Sequence, residues 1–496
     1  AGGTVRYDFT DPVIEDRLRE YGIEARARAW FVANIDTKLR HEDGRRVPGT
    51  DHYIPYGPQS IAAYETYLAT LLEYISVRVP GWRVETWSVD NEQHNLYADA
   101  FCAGKMEYSC GLEAAKSYAE VVEASYRAIK AKDPQALVCV GGAGSSTKDN
   151  EYEYFFKPVF AELKRRNPVG LFDCWDYHNF NSFNKYQTSA QGKNPMYHRG
   201  LMEAAGLTGK KLFVKAGATH TGMDVDGIPR LRVLQTEAQQ AEHLVKRAIY
   251  HVANGVEQIA WGTIRENAGF KGNPHSVYNY TGLMYNGVPT AGSCNPAKVL
   301  PCPDPGDGLK KLSYYTYKFL IEKLKGSDFA NIKTIPTDVP HVYLYELMKE
   351  GRPIYVAWWD YFNEPSAGAT KQVTLTLPDF GASRAQVTDA IPAFAADFQT
   401  SAQTLSETDY PSFFHSSTLP VTNNTLTLEL SKKPVYVERT LLGDLNEDGQ
   451  RTLIDVRWLI EMLVGIRDKT TAADLNHDGN VTLADCQALI KLIVGL

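Results

Sequence analysis

The segment Trp82-Arg-Val-Glu-Thr-Trp-Ser-Val-Asp-Asn-Glu-Gln-His-Asn95 decides the fold class predicted for this chain. β-Branched and aromatic residues alternate with others over 83–89 and give way to the polar run Asp90 to Asn95, which predicts one strand ending in a loop. A (β/α)8 barrel gathers its catalytic groups where the strands end. The adjacent pair Asn91 and Glu92 would there present a neutral donor and a carboxylic acid to a bound substrate. A solvated acidic loop is the alternative.

This short motif carries a family resemblance. Residues 87–92 resemble the Trp-x-x-x-Asn-Glu signature at the end of strand four in the clan A glycoside hydrolases, which are retaining enzymes with a barrel fold. The resemblance implies that Glu92 is the general acid/base and that Asn91 holds the sugar 2-hydroxyl. Later segments resemble the clan in the same order. The expected fold class is therefore α/β, with a (β/α)8 TIM-type barrel.

Length and composition indicate a multidomain globular protein. The chain has 496 residues, of which 44% are hydrophobic and 11% aromatic, and this predicts two or three domains with their own cores. A formal net charge of -7 without a basic block argues against a nucleic-acid partner. No apolar run approaches the ~18 residues that suggest a membrane span. The opening Ala1-Gly2-Gly3 lacks Met, as a processed or truncated product would.

The seven cysteines leave at least one unpaired within the chain. Two pairs flank short loops and could form surface disulfides in an oxidising compartment. These pairs are Cys102 with Cys110 and Cys294 with Cys302. Cys139 and Cys174 lie instead in apolar strands, and we predict that they are buried thiols.

The N-terminal segment predicts an incomplete barrel. Residues 11–22 form an amphipathic pattern that ends at Gly22, which predicts a helix, and residues 23–32 predict the strand after it. In clan A barrels the equivalent elements are the second helix and the third strand, and Val5-Arg6 could end strand two. Strand one and its helix have no candidate, so we expect the chain to lack its first βα unit. A different strand numbering is the alternative.

From strand four onward, apolar strands alternate with amphipathic helices. Predicted strands cover residues 136–142, 170–178, 211–216 and 256–264. Predicted helices cover residues 113–130, 151–166, 196–206, 236–254 and 311–325. This alternation specifies a parallel sheet. We expect the barrel domain to span residues 1–328.

The pattern changes to a period of two after the last of these helices. Runs of alternating apolar and polar residues cover 341–347, 353–359, 372–377 and 425–430, with turn signals between them. They predict an antiparallel β-sandwich over residues 329–440. Such a module could bind sugar or could only brace the barrel, and bracing is the simpler interpretation.

The C-terminal tail contains the same loop motif twice. Asp-x-Asn-x-Asp-Gly begins at Asp444 and again at Asp474, and oxygen-bearing side chains continue to loop position twelve. Ca²⁺ prefers six to eight oxygen ligands, and this spacing wraps them around one ion. Apolar helices are predicted to follow over residues 456–465 and 486–495. The expected ligands of two Ca²⁺ ions are Asp444, Asn446, Asp448, Gln450 and Asp455, and then Asp474, Asn476, Asp478, Asn480 and Asp485.

The tail, residues 441–496, resembles a type I-like dockerin. The resemblance implies a cohesin domain of a scaffoldin as partner, and an extracellular, secreted cellulosome-type complex as location. In well-studied dockerins loop positions ten and eleven are often Ser-Thr and contact the cohesin, whereas Leu453-Ile454 and Leu483-Ala484 stand here. An exposed apolar pair still indicates an interface. The near-repeat of the two halves would permit docking in either of two orientations.

The barrel departs from clan A at the position of its nucleophile. Retaining glycosidases need two carboxyl groups ~5 to 5.5 Å apart. Clan A supplies the second from a Glu after strand seven, in a Thr-Glu-x-Gly-like segment. The similar segment here, Phe213-Val-Lys-Ala-Gly217, has Lys215 and Ala216 where Thr and Glu would stand. Alanine cannot attack an anomeric carbon, and the nearest acids are Asp224 and Asp226.

The ends of strands six and eight supply the remaining candidates. Tyr177-His178-Asn179-Phe180 resembles the clan's His-x-Tyr, whose Tyr hydrogen-bonds the nucleophile, but the third residue is Phe180. The resemblance makes His178 a substrate-binding candidate and places Trp261 under the sugar, with plain core packing as the alternative for Trp261. Glu266 is either a substitute acid or a residue that binds a hydroxyl.

Three interpretations remain open. The first is an active plant-wall glycosidase that recruits another carboxylate or inverts by activating water. The second is a degenerate barrel that binds polysaccharide and is carried by its dockerin into an assembly. The third is an engineered variant whose nucleophile was removed, although two adjacent departures fit a single designed change poorly. No cofactor is expected in the barrel.

Overall fold

The computed structural model describes most of the chain after residue 60. The described residues are 33–34, 45–46, 53–54, 61–78, 86–91, 93–102, 104–144, 149–180, 194–221, 235–266, 280–287, 308–360, 369–382, 384–393, 408–440, 443–446, 451–469, 473–476 and 478–495. For some of them, Asn91 included, only the backbone is described. The predicted helix 11–22, the strand 23–32 and the expected lack of a first βα unit lie outside these residues.

Contacts divide the chain into two compact units. The first comprises residues 1–218 with 254–262, and the second comprises residues 219–253 with 263–496. The domain boundaries expected after residues 328 and 440 stay predictions.

The first unit is built on a six-stranded parallel sheet. Its strands are β1 (Ala33–Asn34), β4 (Thr86–Asn91), β5 (Leu137–Ala143), β6 (Cys174–Asn179), β7 (Lys211–Gly217) and β8 (Val256–Trp261), and a separate hairpin joins β2 (Arg45–Arg46) to β3 (Tyr53–Ile54). The order is β1-β4-β5-β6-β7-β8, and every pair is parallel. Neighbours follow chain order without the reversal of a doubly wound sheet, as in a (β/α)8 barrel. The predicted α/β, TIM-like class is confirmed.

Helices connect these strands and cover one face of the sheet. They are α1 (Ile61–Arg78), α2 (Gln93–Cys102), α3 (Tyr108–Lys132), α4 (Asp149–Glu151), a π-helical turn (Tyr152–Phe156), α5 (Lys157–Arg166) and α6 (Pro195–Ala204). Buried side chains of both layers form one core, in which Trp175 of β6 packs edge-on against Phe160 of α5. The N-cap Asn194 starts α6 by accepting a hydrogen bond from Tyr197 N (2.8 Å).

The polar run after β4 differs from its prediction. The strand continues through Asn91, and α2 begins at Gln93, so the loop predicted over Asp90 to Asn95 is wrong. Gln93 is fully buried, and its Nε2 donates to Gly141 O at the end of β5 (2.9 Å). Oε1 of the same amide has no hydrogen-bond partner among the described residues, so Gly141 O is the partner that accounts for the burial of this side chain. The partner lies too far along the chain for sequence pattern to reveal it.

The cysteines of this unit form two disulfides. Cys102 is bonded to Cys110, which confirms one of the two surface pairs that the sequence allowed. Cys139 and Cys174 are fully buried as predicted, but they are bonded to each other, so the prediction of thiols is wrong. They lie side by side in register on β5 and β6. Paired residues of parallel neighbours face the same side of a sheet, so the two sulfurs meet.

The second unit begins with two helices, α7 (Glu237–Ala253) and α8 (Leu312–Leu324). Glu237 joins them, because its carboxylate accepts from Leu312 N (2.8 Å) and from the Tyr285 hydroxyl (2.6 Å). Farther along α7, the buried Lys246 ammonium contacts Asp360 Oδ2 at 3.0 Å. Asp360 lies just after a strand of the adjoining sheet. This ion pair therefore ties α7 to that sheet.

An eight-stranded antiparallel sheet follows. Its strands are β9 (Ser327–Thr334), β10 (Val342–Lys349), β11 (Arg352–Trp359), β12 (Lys371–Thr376), β13 (Arg384–Asp389), β14 (Ser416–Thr422), β15 (Thr425–Leu430) and β16 (Val435–Arg439), in the order β12-β15-β14-β13-β16-β11-β10-β9. One core joins residues from opposite ends of that order, such as Leu344 of β10 and Leu375 of β12. The sheet therefore folds on itself, and the predicted sandwich is confirmed.

The tail ends in two short helices, α9 (Leu453–Leu463) and α10 (Leu483–Val494). Each begins three residues before its predicted start. Thr452 and Thr482 act as N-caps in capping boxes with Asp455 and Asp485, so the last loop positions form the first helical turn. Leu459 and Leu489 pack in a core shared by the two halves.

Within the described part of the chain, no helix is both long enough and apolar enough to cross a bilayer.

Candidate functional site

The carboxyl ends of β6, β7 and β8 meet in register in the first unit. His178 pairs with Ala216, and Gly217 pairs with Trp261. Backbone hydrogen bonds extend this contact beyond the strands, from Ala218 N to Asn179 O (3.0 Å) and from Gly262 N to Gly217 O (2.9 Å). The structure thus brings three predicted site residues, His178, Ala216 and Trp261, to one edge of the sheet.

The other predicted pair, Asn91 and Glu92, falls at the carboxyl end of β4 in the sequence, and β5 separates β4 from β6 in the sheet. Glu92 lies outside the described residues, and for Asn91 only the backbone at the end of β4 is described. β4 pairs with β5, and Asn91 is in register with Gly142. Gly142 in turn lies under the His178 ring, since a Cβ there would be 2.3 Å from His178 Nε2. Any side chain at position 142 would displace the imidazole.

At the position predicted for the nucleophile, Ala216 carries only a methyl group, and at the position predicted for its hydroxyl partner, Phe180 carries an unsubstituted ring. Ala216 is partly exposed at the strand end, whereas Val214 and Gly217 are buried. The Phe180 ring lies against Gly262, where an added Cβ would be 2.7 Å from ring atom Cε1. The backbone approaches the ring because this glycine has no side chain. Neither position supplies a carboxylate or a hydroxyl.

Beside Ala216, the Lys215 side chain is buried in the same sheet, with 8% of its surface exposed. Its Nζ has no hydrogen-bond partner among the described residues. Burial lowers the pKa of this ammonium to about 8, and the smaller effect of Asp176 opposes that shift. Asp176 is itself buried, and its Oδ2 accepts from Ser88 Oγ at 3.0 Å.

Glu266, the candidate substitute acid, lies in the second unit. Its carboxylate forms an ion pair with the fully buried ammonium of Lys311, which also donates to Thr221 Oγ1 (2.6 Å). Lys311 lies over the ring of Tyr285 at 4.8 Å. The Glu266 carboxylate is therefore engaged by a buried cation within the second unit. Asp224, Asp226 and most of the loop that follows Glu266 lie outside the described residues.

Local hydrogen bonds join three of the predicted ligands in the second loop of the tail. Asp474 Oδ2 accepts from Gly479 N (2.8 Å), and Asn476 Oδ1 accepts from Asp478 N (3.0 Å). Asn476 Nδ2 also donates to Asp478 Oδ2 (2.9 Å). Gly479 has φ +85°, a conformation that glycine adopts without strain. Carboxylate and amide oxygens are the kinds of ligand that Ca²⁺ prefers.

The position-twelve aspartates hold both loops in the same way. Asp485 Oδ1 accepts from Leu475 N (2.7 Å), and Asp455 Oδ1 accepts from Leu445 N (2.7 Å). Both carboxylates are fully buried. In the first loop Asp448 and Gln450 lie outside the described residues. Among the described residues no group of three or more His, Cys, Asp or Glu side chains is arranged for a metal, so amide and backbone oxygens would have to contribute.

Apolar side chains are exposed on the helices of the tail. Leu453 and Leu483, at the start of α9 and α10, are 72% and 71% exposed, and Ile454 is 51% exposed. These are loop positions ten and eleven of the two repeats. Leucine side chains this exposed, at equivalent places in both halves, indicate a surface that is covered by a partner.

Sequence reasoning missed the surroundings of three charged residues. Lys215 was treated only as a departure from a motif, and Asp176 and Lys311 were not singled out. A signal existed for Asp176, which stands between the aromatic residues Trp175 and Tyr177 of β6. Charges at such positions are buried only with partners. The partners themselves, Ser88 among them, come from distant strands and carry no local pattern.

The comparisons with known proteins concern the fold and the tail. A family 39 glycoside hydrolase from Bacteroides cellulosilyticus is 13% identical with a TM-score of 0.46, over 78% of this chain and 64% of that one. A GH51 arabinofuranosidase from Xanthomonas axonopodis pv. citri is 14% identical with a TM-score of 0.45, over 75% and 73%. A GH30 endoxylanase from Clostridium papyrosolvens is 11% identical with a TM-score of 0.41, over 79% and 75%.

These values indicate distant likeness and identify neither an activity nor a substrate. The chain spans just under two thirds of the length of the first of these structures. No curated protein matches the sequence. The tail is different, because residues 442–494 match the family described as the dockerin type I domain. With its duplicated loops, capping boxes and paired helices, the C-terminal module of this chain is a dockerin type I domain.

Proposed function

We propose that this protein is a secreted, cellulosome-associated member of the glycoside hydrolase-like barrels, directed at plant cell-wall polysaccharide. The dockerin would bind a cohesin domain of a scaffoldin and so place the barrel near its polysaccharide. The observation that carries the proposal is the combination in one chain of a dockerin with a barrel-type sheet whose strand ends carry Asn91, His178 and Trp261, with Glu92 next to Asn91 in the sequence.

Within this function, binding without retaining turnover is the role that the geometry favours. Ala216 stands at the nucleophile position, and the methyl group cannot form a glycosyl-enzyme bond. Glu266 is held by Lys311. Asn91, His178 and Trp261 would still contact hydroxyls and the apolar face of a sugar, which need no second carboxylate.

We expect the chain to release no reducing sugar from xylan, mannan, glucan or arabinan. The reason is the missing carboxylate, which a retaining mechanism needs in addition to the acid/base Glu92. The Ala216→Glu variant is expected to gain hydrolysis of the substrate that the chain binds, and the Glu92→Gln/Ala216→Glu variant to lose it again. The measurement is a reducing-sugar assay on all four polysaccharides.

The parent chain and its Glu92→Gln variant are the controls for that assay. Turnover by the parent that Glu92→Gln abolishes would contradict the binding role and reveal a second carboxylate, such as one of the acids after β7. If no variant hydrolyses or binds any of the polysaccharides, the barrel has another function. Affinity electrophoresis in gels that contain each polysaccharide separates binding from turnover.

The dockerin is proposed to hold two Ca²⁺ ions, one in each loop. When bound, each ion would supply positive charge that neutralises the converging loop carboxylates. Asp474, Asn476 and Asp478 would be side-chain ligands, with Asp485 closing the loop from the first turn of α10. The equivalent ligands of the first loop would be Asp444, Asn446, Asp448, Gln450 and Asp455. The barrel is proposed to need no cofactor.

We expect cohesin binding to require both the metal and the leucines at the helix starts. If the two halves dock in either orientation, Leu453→Asp or Leu483→Asp alone lowers affinity only about twofold. The double variant removes the anchor from both orientations and lowers affinity at least about 30-fold. Binding of the full chain to a panel of type I cohesins, with and without EDTA, measures these effects.

A matched control for these variants is Val169→Asp, which changes an apolar residue of similar exposure, 69%, in the first unit. It should bind cohesin like the parent chain. Two equivalent orientations would be contradicted if either leucine variant alone abolished binding. Retention of full affinity in EDTA would contradict the calcium requirement.

A further inference from the structure

Lys215 is a buried cation at the place where the chain departs from the clan A pattern. It precedes Ala216 near the carboxyl end of β7, where Ala216 pairs with His178. Its Nζ has no hydrogen-bond partner and no carboxylate at ion-pairing distance among the described residues. An ammonium buried without a partner costs several kcal/mol relative to water, so a fold retains one at a substantial disadvantage.

The nearest acid does not serve as that partner. Asp176 lies on the neighbouring strand, but its Oδ1 accepts from the backbone N of Lys215 (3.2 Å) and its Oδ2 from Ser88 Oγ (3.0 Å). These bonds hold the carboxylate against the backbone of β7 and the side chain of β4. It therefore contributes a favourable field at Lys215 without contacting the ammonium.

A second buried polar atom without a partner lies on the next strand. Gln258 Oε1 of β8 accepts no hydrogen bond among the described residues. Gln258 is in register with Phe213, and Lys215 follows Phe213 by two positions on β7. Asp176 of β6 is in register with the same Phe213, so it lies on the face of the sheet that carries Gln258, and its field acts on the Lys215 ammonium. A free donor and a free acceptor on adjacent strands indicate that a polar group from outside the described residues binds there.

Lys211, at the other end of β7, shows that a lysine on this strand need not lack a partner. Lys211 is more exposed and forms an ion pair with Glu257 of β8.

The two departures from clan A also act together on charge. Lys for Thr and Ala for Glu each make the strand end more positive by one unit, so the site gains two positive charges relative to that pattern. Such a change favours an anion over a neutral sugar.

We propose that Lys215 binds the negatively charged group of an acidic sugar, so that the strand end that carries the nucleophile in clan A is here an anionic-sugar subsite. The inference rests on the proposed polysaccharide-binding function and names its substrate class. The group is a uronate carboxylate or a sulfate ester. Both accept the charge-assisted hydrogen bonds that an ammonium donates.

The test compares matched acidic and neutral oligosaccharides by isothermal titration calorimetry on the full chain. One pair is tetragalacturonate and its carboxyl-reduced form, and the other is a sulfated galactan tetrasaccharide and its desulfated form. We expect the chain to bind the acidic member of one pair about 10- to 100-fold more tightly, the range of a hydrogen bond to a charged group. The pair that shows the preference identifies carboxylate or sulfate.

Two variants connect this preference to Lys215. Lys215→Met keeps the length and the apolar stem but removes the charge, and it should bind acidic and neutral sugars equally. Lys211→Met, the matched control on the same strand, should keep the full preference. Because a Met in an apolar surrounding does not destabilise, thermal unfolding of Lys215→Met should begin no lower than that of the parent chain.

The outcomes separate this proposal from the proposed function. Equal affinity of the parent chain for acidic and neutral sugars would overturn the anionic subsite and leave polysaccharide binding intact. Preference that survives in Lys215→Met, or in a folded Lys215→Gln variant, would place the anion elsewhere and also overturn it. Failure to bind any oligosaccharide would overturn both.

Discussion

Replacing Lys246 by Met is expected to lower the free energy of unfolding of the second unit by about 3–5 kcal/mol, the usual cost of removing one partner from a buried ion pair. The Lys246 and Asp360 side chains are 1% and 0% exposed and 3.0 Å apart. The second oxygen of this carboxylate, Asp360 Oδ1, has no hydrogen-bond partner among the described residues. The variant therefore leaves a carboxylate in the protein interior without its cation. Urea denaturation monitored by tryptophan fluorescence measures the loss of free energy, because Trp358 and Trp359 lie directly before Asp360 in the chain.

The double variant Lys246→Met/Asp360→Leu separates an orphaned charge from lost packing. Replacing a whole buried pair by apolar residues is often neutral, so this variant should recover most of the lost stability. Lys116→Met removes an exposed pair with Glu113 on α3 and should change little. An unchanged free energy in the single variant, or a double variant as unstable as the single one, would show that the pair does not hold α7 to the sheet.

Removing the Cys139–Cys174 disulfide is the second large effect that we expect. The bond closes a loop with a sequence separation of 35 residues. The chain-entropy relation gives about 4 kcal/mol of lost stability for a loop of this size. Cys139→Ala/Cys174→Ala also removes two fully buried sulfurs from the sheet, so the loss should not be smaller. The free energy of unfolding of the first unit, measured by urea denaturation without reductant, tests this expectation.

The other disulfide of the same unit is the matched control. Cys102 and Cys110 are separated by 8 residues, and the same relation gives about 2.5 kcal/mol. The ratio of the two losses cancels errors that are common to both variants. A smaller loss of stability for the Cys139–Cys174 pair than for the Cys102–Cys110 pair would contradict the loop-entropy account of this unit.

Much of the fold could be predicted because its signals are local. The alternation of apolar strands and amphipathic helices from residue 86 onward gave the parallel sheet, and its neighbours follow chain order as expected. The period-two runs gave the sandwich, and β15 has the predicted bounds, Thr425–Leu430. The repeated Asp-x-Asn-x-Asp-Gly loops predicted the dockerin with its ligand positions. Helix starts were misplaced by three residues because the capping box uses the last loop residues.

The candidate site was less accessible because its determinants are pairings between distant residues. The disulfide between Cys139 and Cys174 depends on the register of two strands, and apolar neighbours alone suggested thiols. Glu266 was a plausible free acid until its contact with Lys311, 45 positions away, was known. Burial of Gln93 likewise depends on a carbonyl of another strand. For Glu92 and the acids after β7, the roles stay predictions.

The Cys139–Cys174 disulfide also affects how this protein would respond to mechanical force. If force is applied to the chain at points on either side of residues 139–174, tension is transmitted along the backbone towards this segment. The bond between Cys139 and Cys174 carries that tension past the residues between them, which form a closed covalent ring. Roughly 120 Å of contour length is thereby withheld from extension. The structure around this ring can unfold under tension, but the ring itself cannot lengthen until the disulfide is reduced.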